Sequence, residues 1–165
     1  MPKCFMMVGI PYSGKSTFIK NYFKPLDNYV LLSTDDYIET VASQDGKSYT
    51  DTFTHVYARA SEFMYKQLQF ALSNNLDIVW DQTNLTKKSR KQKLSLLPNT
   101  YTKIGCVFEI PDYEELSRRR ELRKEKIIPL DAIENMKKTF EVPSLEEGFD
   151  EIYKVKFKYS LEKFS

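Results

Sequence analysis

The sequence is poor in the residues from which many active sites are assembled. Its 165 residues include one histidine, His55, one tryptophan and two cysteines. His55 falls near the start of a predicted helix and offers no catalytic argument. Cys4 and Cys106 sit inside apolar segments without metal-ligand spacing, so both read as reduced, buried thiols, a usage that fits a reducing compartment. Long hydrophobic runs are missing too. No stretch approaches the roughly 18 apolar residues that cross a bilayer, which excludes a membrane partner and points to a cytoplasmic protein. The apolar run Cys4–Val8 is too short for a signal peptide, has no small-residue cleavage site after it and runs straight into a glycine loop. Charge of one sign is also lacking: 25 basic against 23 acidic side chains leave a net charge of +2. That sum argues neither for nor against a nucleic-acid partner; distribution matters more. There is no G-x-G-x-x-G to support dinucleotide binding, no internal repeat and no low-complexity linker.

What is present is enough for a core. Hydrophobic residues make up 41% and aromatic residues 14% of the chain, and the length is about that of one domain, residues 1–165. Cys4–Val8, Tyr29–Leu32, Asp77–Trp80, Lys103–Phe108 and Ile152–Phe157 read as strands. Helices are predicted over Ser16–Phe23 (ending before Pro25), about Thr54–Asn74, Thr86–Leu97, Asp112–Lys126 and Leu130–Phe140. The second of these, from Thr54, places Val56, Ala60, Phe63, Met64, Leu68, Ala71 and Leu72 at helical spacing. The polar stretch Ser43–Thr54, with Gly46, reads as a loop. Strands alternating with helices imply crossover units. The expected fold is α/β, a three-layer sandwich whose mostly parallel sheet is flanked by helices, with a helical lid over about 112–140.

The strongest motif is Gly9-Ile10-Pro11-Tyr12-Ser13-Gly14-Lys15-Ser16, followed by Thr17. It satisfies G-x-x-x-x-G-K-[ST] in full, between a buried strand and a helix. Glycines let successive backbone N–H groups turn inward around a phosphate, and the helix N-terminus adds partial positive charge. Lys15 then reaches the β- and γ-phosphates and the Ser16 hydroxyl is placed for Mg²⁺. Gly9, Tyr12, Ser13, Gly14, Lys15, Ser16 and Thr17 are the expected binding residues for ATP or another purine triphosphate.

Ligands of open α/β sheets sit beyond the carboxyl ends of the strands, and two acidic sites fall there. An acceptor hydroxyl attacking phosphorus needs a carboxylate to orient it and accept its proton. Asp35 is the expected base, and Asp36 either caps a helix beginning at Tyr37 or faces the acceptor. Asp81 supports the Mg²⁺ site or holds acceptor groups; its alternative is to cap the next helix, as Thr83, Asn84 or Thr86 could equally do. Further along, Arg118, Arg119, Arg120 and Arg123 share one predicted helix. Positions 119 and 123 lie on a common face, and arginines over a triphosphate neutralise charge developing on the transferred group. The alternative is a solvated face balanced by Glu114, Glu115, Glu121 and Glu125. A second basic helix, Lys87-Lys88-Ser89-Arg90-Lys91-Gln92-Lys93, reads equally as an acceptor-phosphate contact or as a solvated face.

The phosphate loop, then Asp35-Asp36-Tyr37, Thr83-Asn84-Leu85 and the arginine segment with Ile128-Pro129 resemble the kinase domain of polynucleotide 5′-hydroxyl kinases. The same order occurs in the wider zeta-toxin-like or AAA-type group of P-loop kinases, to which the ending Phe140-Glu141-Val142-Pro143 through Glu147-Gly148-Phe149-Asp150 is also similar. The resemblance implies that Lys15 and Ser16 hold the triphosphate and Mg²⁺. It makes Asp35 the base that activates a 5′-hydroxyl, and Arg119 and Arg123 the lid arginines. Acceptor contacts are expected at Asp36, Asp81, Thr83 and Asn84, with a nucleic-acid 5′ end as partner. Two departures fall on acceptor recognition. Ile38 stands where these kinases place an arginine, and the carboxylate Asp81 is one residue further from Thr83 than their pattern has it. No Asp-x-Asp-Gly-Thr signature is present, so a partner 3′-phosphatase would be a separate protein.

Three functions are thus in play: a kinase of nucleic-acid hydroxyls, a kinase of a nucleoside, modified base or small metabolite, and a nucleotide-dependent switch ATPase. Tyr12, Tyr37, Tyr49 and Phe53 are candidate stacking surfaces for an acceptor base. The switch expects an arginine finger from a neighbour, whereas this chain carries arginines of its own. Oligomeric state is open.

Overall fold

The computed structural model describes residues 1–24 and 26–156, and the backbone of 161–163. A six-stranded sheet runs in the order β2-β3-β1-β4-β5-β6. Its strands are β1 (Lys3–Val8), β2 (Tyr29–Leu32), β3 (Asp77–Trp80), β4 (Thr102–Phe108), β5 (Glu151–Val155) and β6 (Leu161–Lys163). The first five in that order are parallel and β6 returns antiparallel on β5. The expected last strand reached Phe157, which lies outside the described residues, as does Pro25.

Alternation along β1 explains the three layers. Cys4, Met6 and Val8 join one core cluster with Met64, Leu68 and Ala71 of α3 (Tyr49–Ser73) and Leu94 of α4 (Lys87–Leu94). Met7 faces the opposite cluster, with Phe18 and Ile19 of α1 (Lys15–Tyr22), Val79 and Phe108. Successive side chains of a strand point to opposite faces, so a fully apolar strand requires cover on both. Both cysteines are buried free thiols, and burial pushes the Cys106 thiol up to about 12.

The segment expected as a loop, 43–54, is mostly helix. α2 (Thr34–Asp45) is capped by Gly46 with φ 63°, and α3 begins at Tyr49 after a three-residue link. Local capping explains the difference. Ser48 Oγ accepts from Asp51 N at 3.1 Å while donating to Asp51 Oδ2 at 2.6 Å, so a polar stretch still starts a helix. Ser33, not Asp36, caps α2, its Oγ accepting from Asp36 N at 3.1 Å. On α3, Phe63 is not core: it lies exposed with its ring 5.1 Å from that of Tyr37. Thr86 caps α4. α5 (Tyr113–Leu122) stops short of its expected end at Lys126, because the backbone turns at Arg123 and Lys126 N donates to Arg123 O at 3.1 Å. α6 (Leu130–Thr139) follows Pro129.

Candidate active site

The strand order reverses direction around β1, and a cavity of about 1430 Å³ opens there, beyond the carboxyl ends of the parallel strands. Residues immediately after β2, β3 and β4, namely Ser33, Asp81 and Glu109, line it together with the loop after β1.

That loop is shaped by two glycines. At Gly9 a side chain would meet Ser13 Oγ at 2.7 Å and Phe108 Cβ at 3.0 Å. Gly14, with φ 99°, is the N-cap of α1 and offers it no side-chain hydrogen bond. The first-turn amides of α1 are therefore left for a ligand or solvent. Ser13 Oγ is the one buried side-chain polar atom among the described residues that has no hydrogen-bond partner. Amides at a helix N-terminus behind a glycine turn suit an anion with several acceptor oxygens, as a triphosphate has. Lys15 Nζ meanwhile donates to Gly9 O and Ile10 O, both at 2.9 Å. Burial lowers this ammonium to about 8, against the pull of the Asp81 and Asp35 carboxylates. Such a cation gains most when phosphate oxygens replace the carbonyls.

Asp35 lies in the first turn of α2 and half-exposed on the cavity wall. Its two oxygens are divided between partners: Tyr49 Oη donates to one and Lys126 Nζ to the other. Burial works to raise this carboxyl, but the Lys126 charge, the two hydrogen bonds and Lys15 outweigh it and hold it below the usual range. Asp81 differs. Burial raises its carboxyl, with Lys15 opposing. Asp36 is exposed and also lines the cavity.

The arginine segment closes the other side. Arg119 Nη1 donates to Tyr12 O at 2.8 Å and its Nε to Glu115 Oε1 at 2.6 Å, which sets the guanidinium above the phosphate loop. Arg123 Nη2 reaches Glu39 Oε1 at 3.3 Å. Arg118 pairs with Glu115, and Arg120 Nε donates to Ile128 O at 3.0 Å. All four arginines of the run thus have partners within the fold, Arg123 adding Glu125 at 3.4 Å.

Comparison with known proteins agrees with this geometry. The family described as AAA domain matches residues 5–143. The chain belongs to the AAA domain family. Heterogeneous nuclear ribonucleoprotein U-like protein 2 of Mus musculus is 30% identical over 163 residues, covering 89% of this chain and 20% of that protein. The bifunctional polynucleotide phosphatase/kinase of Schizosaccharomyces pombe is 31% identical over 93 residues, 53% of this chain and 22% of the relative. A chain from the Pnkp1/Rnl/Hen1 RNA repair complex superposes with a TM-score of 0.64 at 26% identity, covering 84% of this chain and 43% of that one. This AAA domain therefore spans about a fifth of the length of these two curated relatives. The resemblance to polynucleotide kinases read from the motifs is borne out, and so is the P-loop kinase fold.

Within the AAA domain the expected site residues are not all in one place. Gly14, Lys15, Ser16, Thr17, Asp35, Asp36, Asp81, Thr83, Arg119 and Arg123 line the cavity. Asn84 does not. It is buried, and its Nδ2 donates to Met7 O at 2.7 Å while Oδ1 accepts from Lys93, so it joins β1 to the loop after β3 rather than meeting an acceptor. Tyr12 also lines the cavity, but it is buried, packed with Ile10, Leu85, Leu116 and Ile133, and offers little surface for stacking. Its hydroxyl donates to Lys126 O at 2.7 Å and accepts from Ile128 N at 3.0 Å.

The one-residue shift at Asp81 leaves it on the cavity: Asp81 N continues the pairing to Leu32 O at 2.8 Å, and the neighbouring Gln82 Nε2 donates to Thr34 Oγ1 at 3.3 Å. Among the described residues no cluster of three or more His, Cys, Asp or Glu could hold a metal. Mg²⁺ takes few protein ligands and completes its shell with phosphate oxygens and water, so the Ser16 hydroxyl and the Asp81 carboxylate, both on the cavity, suit it.

Sequence reasoning missed three contributors. Lys126 sits buried beside Asp35, Glu39 bridges it to Arg123, and Arg90 holds the loop after β3. Arg90 Nε and Nη2 hold Glu147 at 2.7 and 2.8 Å, and Nη1 donates to Asn84 O and Leu85 O at 3.0 Å, all buried. The basic helix α4 is therefore neither wholly solvated nor wholly an anion site. Burial also lowers its Lys93 to about 8.

Proposed function

We propose that this AAA domain is an ATP-dependent kinase that transfers the γ-phosphoryl group to a nucleic-acid hydroxyl, a 5′-OH end of DNA or RNA. The observation that carries the reading is a single cavity lined both by the glycine-turned cradle after β1, with Lys15, and by an ionised carboxylate, Asp35. The cradle and Lys15 take the triphosphate. Mg²⁺, when bound, draws charge from the β- and γ-oxygens, and Ser16 and Asp81 would hold it. Asp35 orients the acceptor O–H and takes its proton as the new O–P bond forms. The bond from the γ-phosphorus to the bridging oxygen breaks, and its electron pair leaves on the ADP. Arg119, already fixed on the phosphate loop, balances charge on the transferred group. The segment 112–140 acts as the lid. Its own arginines disfavour the switch reading.

A kinase of a nucleoside or small metabolite is the second reading. It is favoured by Ile38, which is fully buried and leaves α2 without a cation for an acceptor phosphate. The test is transfer from labelled ATP with Mg²⁺ to 5′-hydroxyl DNA and RNA oligonucleotides beside a nucleoside panel. Label on oligonucleotides is expected. Label on nucleosides alone overturns the reading, and ATP hydrolysis without transfer supports the switch instead.

A further inference from the structure

The pair between Asp35 and Lys126 is at odds with what a general base must do. An ammonium in contact stabilises the carboxylate and opposes its protonation. Lys126 is placed there with some precision. Its side chain is 9% exposed against 48% for Asp35, and it also lies 3.6 Å from Glu39 Oε1. The ammonium stands 4.5 Å over the Tyr49 ring, a position that suits a cation. Its backbone is fixed separately, through the carbonyl that accepts from Tyr12 Oη. The side chain can thus change partner while its root stays tied to the phosphate loop. Glu39 in turn accepts from Arg123 at 3.3 Å, so two cations and two carboxylates neutralise one another at the wall where the acceptor must lie.

We infer that Lys126 is the ligand of a phosphate on the acceptor, which draws it off Asp35 and frees the base only when a phosphate-bearing acceptor is in place. The inference rests on the kinase reading and narrows it. The acceptor is a nucleotide or strand with a phosphate on the sugar that carries the reacting hydroxyl, and a free nucleoside leaves Asp35 paired. The cation absent from α2 at Ile38 is supplied from the lid.

The test compares adenosine 3′-monophosphate with adenosine as acceptors, at saturating ATP and Mg²⁺. Wild type is expected to favour the monophosphate in kcat/KM by roughly 10- to 100-fold, the range of one charged hydrogen bond. Lys126→Gln should collapse that ratio toward one and Lys126→Arg should recover most of it. Lys66→Gln removes an exposed charge of α3 paired with Glu62, far from the wall in sequence, and should leave the ratio as it is. Equal use of the two acceptors by wild type, or a ratio that survives Lys126→Gln, overturns the subsite and leaves the kinase standing. Failure of wild type to label either acceptor or an oligonucleotide overturns both.

A measurement on wild type alone covers the case of a variant that does not fold. The groups facing Asp35 are Lys126 and Arg123 from the lid, Tyr49 from α3, Lys15 from α1, Asp81 after β3, and Asp36 and Glu39 of α2. With Lys126 drawn away, Asp35 binds its proton more readily. The acidic limb of kcat should therefore lie at higher pH with the monophosphate than with adenosine, which leaves Asp35 paired. Coincident limbs overturn the subsite.

Discussion

The two halves of the cavity are built by different means. On the proposed function the donor half is largely backbone, the loop after β1 shaped by Gly9 and Gly14, with Gly9 N fixed to Thr83 O at 3.0 Å. The acceptor half is made of side chains from segments far apart, Asp35 and Glu39 on α2, Tyr49 on α3 and Lys126 after α5, which satisfy one another. Backbone fixed by a sheet is rigid and serves any triphosphate. Paired side chains are exchangeable, and on the proposed function selectivity for the acceptor would reside in what displaces them.

That contrast is most directly broken at Asp35. Asp35→Asn should lower kcat by roughly 10²–10⁴-fold, while ATP affinity from equilibrium binding stays within about threefold; a parallel loss of ATP binding would join the two halves. The loop after β3 comes next. Arg90→Met leaves Glu147 buried and unpaired, at a cost of about 3–5 kcal/mol, which urea denaturation should register as a large fall in midpoint. An unmoved midpoint would mean that the loop does not depend on this pair. Third is the pH dependence of ATP binding. Lys15 titrates at about 8 in the folded chain, below its ordinary 10.5. A triphosphate binds the ammonium form, so the Kd for ATP should rise about tenfold between pH 7 and 9, measured by calorimetry. A flat profile would remove Lys15 from the donor half. The smallest effect is expected from Tyr12→Phe, which loses the bonds to Lys126 O and Ile128 N. Acceptor KM should rise about three- to fivefold with little change in ATP affinity, and an effect confined to ATP would assign Tyr12 to the donor half alone.

The donor half was legible in the sequence because its requirements are local. A glycine that must avoid Ser13 and Phe108, a glycine at φ 99° and a lysine beside it all fall within one short run. Strands of a parallel sheet were legible for the same reason, since burial on both faces demands a continuous apolar run. A helix was expected from Tyr37, but its start at Thr34 and the start of α3 were obscured because Ser33 and Ser48 cap from positions that composition alone reads as loop. Asn84 and Lys126 were opaque for a different reason. Asn84 stands within a motif that suggests an acceptor, yet its partner is Met7 O, distant in the chain. Lys126 belongs to a run of charges whose members differ only in what the fold brings near them. One is buried against Asp35, and Lys124 beside it is exposed.

The hydroxyl of Tyr12 gives the molecule one further property. It belongs to a residue whose own carbonyl receives Arg119, and it holds the chain at Lys126 and Ile128. On the proposed function, a triphosphate settling into the loop would act on residues 126–128, and an acceptor that took Lys126 would act back on the loop. Cooperation of this kind is a free energy shared by two ligands and has the same size from either end. The factor by which ATP or an unreactive analogue tightens the acceptor must equal the factor by which the acceptor tightens the nucleotide, and both must shrink together when that hydroxyl is removed.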